Sequence, residues 1–484
     1  MQYRVCRSYL LQCVVGQQAS LDCSSHKQVM AATIQSFEAL NETNLQDILQ
    51  SSLASPSLKV ISIKDPGSDL GSKNVQYGSV LKKLVVLVSE NGVEKEVHMI
   101  AKSALTKGMI SKISKLGMFV FHREALFFKK ALPMLLENLS SDQSKALLNL
   151  VPKSHYVYSN YEDTDIDDCM FRNIALCCCC ILPCRKRERG FILMENLKEG
   201  DGDKFIDMKE IEKKGVTIEY MRLALDGLAH FHGAWWLWLQ KADEETKQEI
   251  CSLYKTLAFN KWEWALKPFV NMTMEIYIDM LEARKEDPEM IEKIKSCKNS
   301  PDTVRNMVKG MHDYEDSKFK TMIHWDLWTP QIMYSHNEDG SPKQVKIIDF
   351  QTLSAGHPAS DIWRMVYSAT DSNFRKNHFE DCLKSYFSIL SGYMAPLADV
   401  SYDEFKKEVD ERRFVSPLMD GVSPCLTLAT TERSDPLAEK NKFLREVKAD
   451  LRGPDKEDDH PDIKEMRRRL LDLAKESVEL GLFK

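Results

Sequence analysis

Apolar and polar residues alternate with a period of two in three stretches of the first quarter of the chain. Leu58-Lys59-Val60-Ile61-Ser62-Ile63, Ser79 to Val88 and Glu94 to Lys102 have the pattern of strands, and in the third Val97, Met99 and Ala101 oppose His98, Ile100 and Lys102. The period then lengthens to that of helices. Met118 to Leu136 is amphipathic, and so is the run through Tyr220, Leu223, Ala224, Leu228 and Phe231, with Thr217 placed to cap it. Between them, Phe191 to Leu197 is a short apolar run that reads as a buried strand. Ile332-Met333-Tyr334 and Val345-Lys346-Ile347-Ile348 flank Asn337-Glu338-Asp339-Gly340, whose Asx and Gly residues suit a tight reversal, so a β-hairpin is expected there. Helical spacing returns at Lys376 to Leu390, Tyr402 to Arg412 and Ile463 to Leu480, the last of these after an acidic connector from Arg452 to Pro461. The order predicts an α+β protein with a small antiparallel β lobe over residues 46–194 and a larger, mostly helical lobe over 195–484. Residues 1–45 are rich in Ser and Gln and are expected to form a poorly ordered extension outside the fold.

Composition narrows the class of function. The chain has 484 residues, 43% apolar and 29% charged, with a formal charge of −6, which is ordinary globular material and excludes the basic excess of a nucleic-acid binder. No apolar run reaches the roughly 20 residues that cross a bilayer. The thirteen cysteines lack the regular spacing of a secreted disulfide framework, so reduced thiols and a cytoplasmic location are expected. A monomer is expected as well. Cys177 to Cys180, with Cys169 and Cys184, precede the basic run Arg185-Lys186-Arg187-Glu188-Arg189. Only one Cys-x-x-Cys spacing exists there, too few to wrap a zinc tetrahedron, and an inserted loop over 169–189 is favoured over acylation and membrane attachment. His230 and His232 lie two apart on a helix and so on different faces, which favours packing over metal binding, and Trp235, Trp236 and Trp238 read as core.

The candidate chemistry lies at the predicted hairpin. Asp326 precedes it and Asp349 follows it, so the reversal brings two acids to one end. Phosphoryl transfer needs such a pair: one carboxylate orients and deprotonates the attacking hydroxyl, and another holds the magnesium that neutralises charge on the moving phosphate. Lys102 ends the third strand and Glu124 lies on the helix that follows, an arrangement by which an ammonium is held against phosphates. Gly71, Asn74, Gly78 and Ser79 fall between the first two strands, where backbone amides would approach a nucleotide.

The string His324-Trp325-Asp326-Leu327-Trp328, with Asp349-Phe350-Gln351 after it, resembles the ecdysteroid kinase-like branch of the aminoglycoside phosphotransferase and choline kinase superfamily, which reads His-Gly-Asp-Leu-Trp, a later Asn, and Asp-Phe-Gln. His122 to Phe128 with Leu132-Pro133, Met194-Glu195-Asn196-Leu197, Phe231-His232 and Gly356-x-Pro358-x-x-Asp361 are similar to further motifs of that family, in the family's order, and the likeness spans roughly residues 46 to 484. It implies a bilobal protein-kinase-like fold, ATP and Mg as cofactors, and a small-molecule hydroxyl, such as that of a steroid alcohol, as acceptor. It assigns Asp326 and His324 to catalysis, Asp349 and Gln331 to the metal, and Asp361 to steadying the loop, beyond the N-cap role that its place at a helix start suggests. Gly71, Asn74, Gly78, Ser79, Lys102, Glu124 and the backbone of Met194 to Leu197 would bind the nucleotide. Two positions depart from the pattern: Trp325 replaces Gly, and Gln331 replaces the Asn. Those departures support an alternative, a weak or inactive kinase-like binding protein. Protein kinases have Arg between His and Asp and Asp-Phe-Gly, neither of which occurs here.

Overall fold

A computed structural model describes residue 34 and residues 37–64, 79–104, 120–160, 189–200, 202–213, 215–254, 263–300, 302–305, 314–413, 416–428, 440–451 and 459–483. Two compact units divide them. One takes the chain up to Ser144, Val151–Phe205 and Asp349–Thr352, and the other takes Lys145–Leu150, Ile206–Ile348 and the remainder from Leu353. The sequence places the lobe boundary at 194/195, whereas this division falls between Phe205 and Ile206. The segment after the strand is tied back, since the Asn196 N–H donates to His98 O and the Phe205 N–H to Leu197 O.

The first unit is built on a five-stranded antiparallel sheet. Its strands β1 (Lys59–Lys64), β2 (Ser79–Glu90), β3 (Val93–Ala104), β4 (Ser154–Asn160) and β5 (Arg189–Glu195) run in the order β1-β2-β3-β5-β4. A two-residue turn joins β2 to β3, where Asn91 and Gly92 both have positive φ, the conformation that matches the twist of a hairpin. Helix α1 (Glu42–Ser52), capped by Asn41, packs Leu45, Ile48 and Leu49 on Leu84, Val86, Val88, Met99 and Phe191 of the sheet. This corrects the expected extension for its described part, residue 34 and residues 37–45. Ile34 is buried and its N–H donates to the Tyr156 hydroxyl, and Phe37 and Leu40 pack on the same core. Apolar residues spaced along a Ser- and Gln-rich segment were enough to anchor it. Residues 1–33 lie outside the described residues.

The predicted helix over 118–136 is present with an interruption. α2 (Val120–Leu126) leads into a wider π-turn at Phe127–Ala131 and then α3 (Leu132–Leu136), so the Leu132 N–H reaches back to Phe127 O. Pro133 has no N–H to give the preceding turn, and the widened turn absorbs that defect.

The second unit is mostly helical. Its long α4 (Ile218–Lys241) packs on α7 (Phe379–Met394), and Gly233 permits the approach, because a Cβ there would lie 2.5 Å from the Tyr393 ring. Thr217 is at the N-cap, but its hydroxyl bonds the Glu219 carboxylate in place of the helix backbone. Trp235 and Trp238 are buried edge to face, with Trp236 beside them in the core. Helix α5 (Glu263–Arg284) packs on α9 (Lys440–Leu451) and α10 (Pro461–Glu479), while α6 (Ala359–Ala369) and α8 (Tyr402–Glu411) complete the elements used below. Three short strands form a second sheet in the order β6-β8-β9 (Ile206–Asp207, Ile332–His336, Pro342–Ile347), and β7 (Thr321–Ile323) pairs with β10 (Ser354–Gly356). The expected hairpin is β8–β9, with Ile332 opposite Ile347 and Gly340 at φ +82 in the turn. Among the described residues no helix is long and apolar enough to cross a membrane. The Cys177–Cys180 cluster lies outside the described residues.

Candidate functional site

In the first unit the candidate groups converge on Lys102. Strand β3 carries it into the core, where its Nζ lies 2.5 Å from Glu124 Oε2 and 2.6 Å from Asp349 Oδ1, with all three side chains at most 8% exposed. The order of residues around each explains the meeting. Glu124 is on α2, and Phe127 and Phe128 of the π-turn that follows it pack on Phe350, stacked at 4.1 Å and edge-on at 6.0 Å. Phe350 thereby fixes its neighbour Asp349, which stands in the left-handed region at φ +71, a conformation Asp adopts more readily than most side chains. The other Asp349 oxygen, Oδ2, accepts from Gln351 Nε2 at 2.9 Å.

Electrostatics follow from burial. Burial opposes the Lys102 charge, but Asp349 and Glu124 outweigh it and hold the ammonium above its ordinary range. Burial pushes the Glu124 carboxyl up to about 7, against the pull of Lys102 and with the Asp349 charge adding to it. Two carboxyls share one ammonium, so the set has the negative excess that suits a hard divalent cation holding phosphate oxygens.

At the end of β5, Glu195 and Asn196 have their N–H groups committed, to Lys153 O and His98 O respectively, and Glu195 Oε1 accepts from the Lys153 N–H. Met194 pairs with both neighbouring strands. The Leu197 N–H takes no partner among the described residues, and Leu197 is buried, which leaves an unspent donor in an apolar setting. Ser79 opens β2 opposite Ala104. Gly71, Asn74 and Gly78 lie outside the described residues.

In the second unit the loop after β7 is held by one carboxylate. Asp361 accepts the His324 N–H on Oδ2 at 2.6 Å, the Trp325 N–H on Oδ1 at 2.8 Å, and His232 Nε2 on Oδ2 at 3.1 Å, all fully buried except Trp325. A carboxylate only accepts, so His232 donates from Nε2 and its Nδ1 takes the Tyr386 hydroxyl at 2.7 Å. This corrects the N-cap reading of Asp361. Pro358 occupies the cap of α6, and the capping acceptor is His357, whose Nδ1 receives the Ala359 N–H at 3.0 Å. Both histidines of α4 bond tyrosines of α7, His230 meeting Tyr393 at 2.9 Å, and no metal cluster forms among the described residues.

Trp325 stands at φ +70, the conformation for which Gly is the usual choice. A left-handed non-Gly residue costs about 1–2 kcal/mol, and the Asp361 hydrogen bonds to the consecutive His324 and Trp325 N–H groups over-determine the turn. His324 is fully buried and its Nε2 donates to Ile348 O at 3.0 Å, so it ties the loop to the residue that follows β9. Gln331 is buried at the end of a 3₁₀ turn, with its carbonyl accepting the Ile348 N–H at 3.0 Å. Asp326 remains 29% exposed and receives Arg364 Nη2 on Oδ1 at 2.7 Å. Arg364 Nη1 in turn meets Oδ1 of the buried Asp420 at 3.0 Å. Sequence reading missed both Arg364 and Asp420. The available signal was the position of Arg364 three residues after Asp361 on one helix, which turns both toward the same loop.

A model of the ecdysteroid kinase-like family matches residues 73–398. No curated protein matches the chain at a significant level. Among solved structures, the chain is similar to an ethanolamine kinase of Plasmodium vivax at 13% identity, over 84% of this chain and 87% of that one, with a TM-score of 0.35. That likeness is too distant to carry an argument about chemistry.

Proposed function

The chain belongs to the ecdysteroid kinase-like family, and on that premise we propose that it is an ATP- and magnesium-dependent phosphotransferase acting on a hydroxyl of a small molecule, a steroid alcohol foremost. The observation that carries this reading is the buried contact of Lys102 with both Glu124 and Asp349. A lysine sealed between two acids is costly unless its charge has work to do, because burying ions without exact compensation destabilises.

Asp326 takes the acceptor proton as the acceptor oxygen bonds the γ-phosphorus. The bridging P–O bond breaks, and its electron pair leaves on ADP. Lys102, kept ionised by Glu124 and Asp349, binds the α- and β-phosphate oxygens, and the Leu197 N–H meets the adenine edge. Asp349 and the Gln331 amide are the residues that would hold magnesium, which when bound neutralises charge on the transferred phosphoryl group. Gln331 reaches one methylene further than the Asn it replaces. His324 and Asp361 shape the loop.

A second reading, a kinase-like protein that binds nucleotide with little turnover, draws on the strained Trp325 and on Arg364 neutralising Asp326. One assay separates the two. Purified protein with labelled ATP, magnesium and a panel of hydroxysteroids and amino alcohols is expected to yield phosphorylated acceptor, reduced at least about 100-fold in Asp326→Asn and Asp349→Asn. Equal, background turnover in all three proteins, with ATP still shifting the melting temperature, would establish the binding reading in its place.

A further inference from the structure

Arg364 is placed to act on Asp326 and on nothing farther along the loop. Helix α6 presents Asp361 to the backbone of His324 and Trp325, and one turn later presents Arg364 to the side chain of Asp326, so a single helix face fixes three consecutive residues. The guanidinium is held from behind as well. Its Nη1 meets Oδ1 of Asp420, which opens the 3₁₀ turn Asp420–Val422 and is fully buried. That turn has no room to shift, because a Cβ on Gly421 would lie 2.4 Å from the Thr273 methyl and 2.5 Å from the Tyr277 hydroxyl of α5. An arginine spans two carboxylates with separate nitrogens of one planar fork, which fixes their spacing as the single nitrogen of a lysine does not.

We infer that Arg364 is the positioning residue of Asp326, with Asp420 as its counter-anchor, and that sharing the guanidinium between the two acids sets how strongly Asp326 attracts the acceptor proton. The inference rests on the kinase reading of Asp326.

The shared charge makes the arrangement responsive. Burial pushes Asp420 up to about 7, against Arg364 and with the Asp326 charge adding, and its Oδ2 takes no hydrogen bond among the described residues. Among the described residues, the other titratable or charged groups around this pair include Asp361 on α6, Tyr277 on α5 and Cys425 on the short helix that follows the 3₁₀ turn, with Tyr367 and Arg375 acting on Tyr277. Burial, with Asp420 adding, holds Tyr277 well above its ordinary range and therefore neutral. While Asp420 is protonated, Arg364 acts on Asp326 alone and weakens it as a base. As Asp420 ionises, the guanidinium is divided and Asp326 regains basicity, so kcat rises through neutral pH.

The test uses the full chain with Mg-ATP and the same hydroxysteroid and amino alcohol probes, following ADP release across pH for wild type, Arg364→Met, Arg364→Lys, Asp420→Asn and Asp326→Asn. Arg364→Met is expected to lower kcat roughly 100-fold while the ATP KM stays within about 3-fold, and Arg364→Lys to recover part of the loss. Asp420→Asn is expected to lose the rise in kcat between about pH 6 and 8. Should Arg364→Met fail to fold, the nearly isosteric Asp420→Asn and the charge-keeping Arg364→Lys decide the matter. Wild-type kcat in Arg364→Met, or an unchanged rise in Asp420→Asn, overturns the positioning role and leaves the kinase reading standing if Asp326→Asn is inactive. A wild type that turns over no probe overturns the kinase reading, and the role of Arg364 with it.

Discussion

Two cations in this protein, the buried Lys102 and the half-buried Arg364, each lie between two carboxylates, and the two arrangements differ. Around Lys102, both acids are sealed, with Glu124 and Asp349 side chains 2% and 8% exposed. Around Arg364, one acid is sealed and the other is 29% exposed, so Asp326 faces outward while Asp420 does not. In each pair burial pushes one carboxyl to about 7, Glu124 in the first and Asp420 in the second. The difference lies in the cation. A lysine ammonium is a compact point charge that can exchange one oxygen partner for another, which suits the phosphate-binding role proposed for it. An arginine never deprotonates and holds its partners in a fixed fork, which suits a permanent brace on one side chain.

Lys102→Met breaks the comparison most severely. It leaves two carboxyls without a counter-charge in the core, and a loss of about 3–5 kcal/mol in unfolding free energy is expected, read from the urea midpoint. A variant as stable as wild type would mean that the lysine is not desolvated in solution. The next effect concerns protons. Asp420 keeps its proton up to about 7 when folded, against an ordinary value of 3.8, so the folded state binds more protons between these values. Its stabilising contribution is fully present below the ordinary value and is lost as pH rises through about 7. The difference in stability between wild type and Asp420→Asn should therefore slope by about 1.4 kcal/mol per pH unit over that window, measured by denaturation at stepped pH. A flat difference would show that Arg364 keeps Asp420 ionised throughout. The smallest effect belongs to the loop: Trp325→Gly relieves a left-handed indole-bearing residue, and thermal unfolding should show a gain of up to about 1 kcal/mol. A loss would show that the half-buried indole contributes more in packing than its backbone costs.

The strands around Lys102, the β8–β9 hairpin and the long α4 were legible because each is written as a local period or a turn signature that tertiary contacts reinforce. The same locality made Asp326, Asp349, Lys102 and Glu124 visible as candidates. The anchored segment from Ile34 to Leu45 was not legible, since its few apolar residues gain meaning only from the sheet they cover. The π-turn at Phe127–Ala131 was implicit in Pro133, but period alone drew a straight helix through it.

The sequence by itself determined which residues are candidates for the chemistry and in what order they come, together with the strain at position 325, because Trp in place of Gly is a property of one residue. Only the tertiary structure decided how those residues are held. Arg364 lies 38 residues from Asp326 and 56 from Asp420, and Asp361 reaches back 37 to His324. No period or motif encodes such distances. They are fixed when helices pack and a buried charge must find its partner, which is a condition on the whole fold and not on any segment of it.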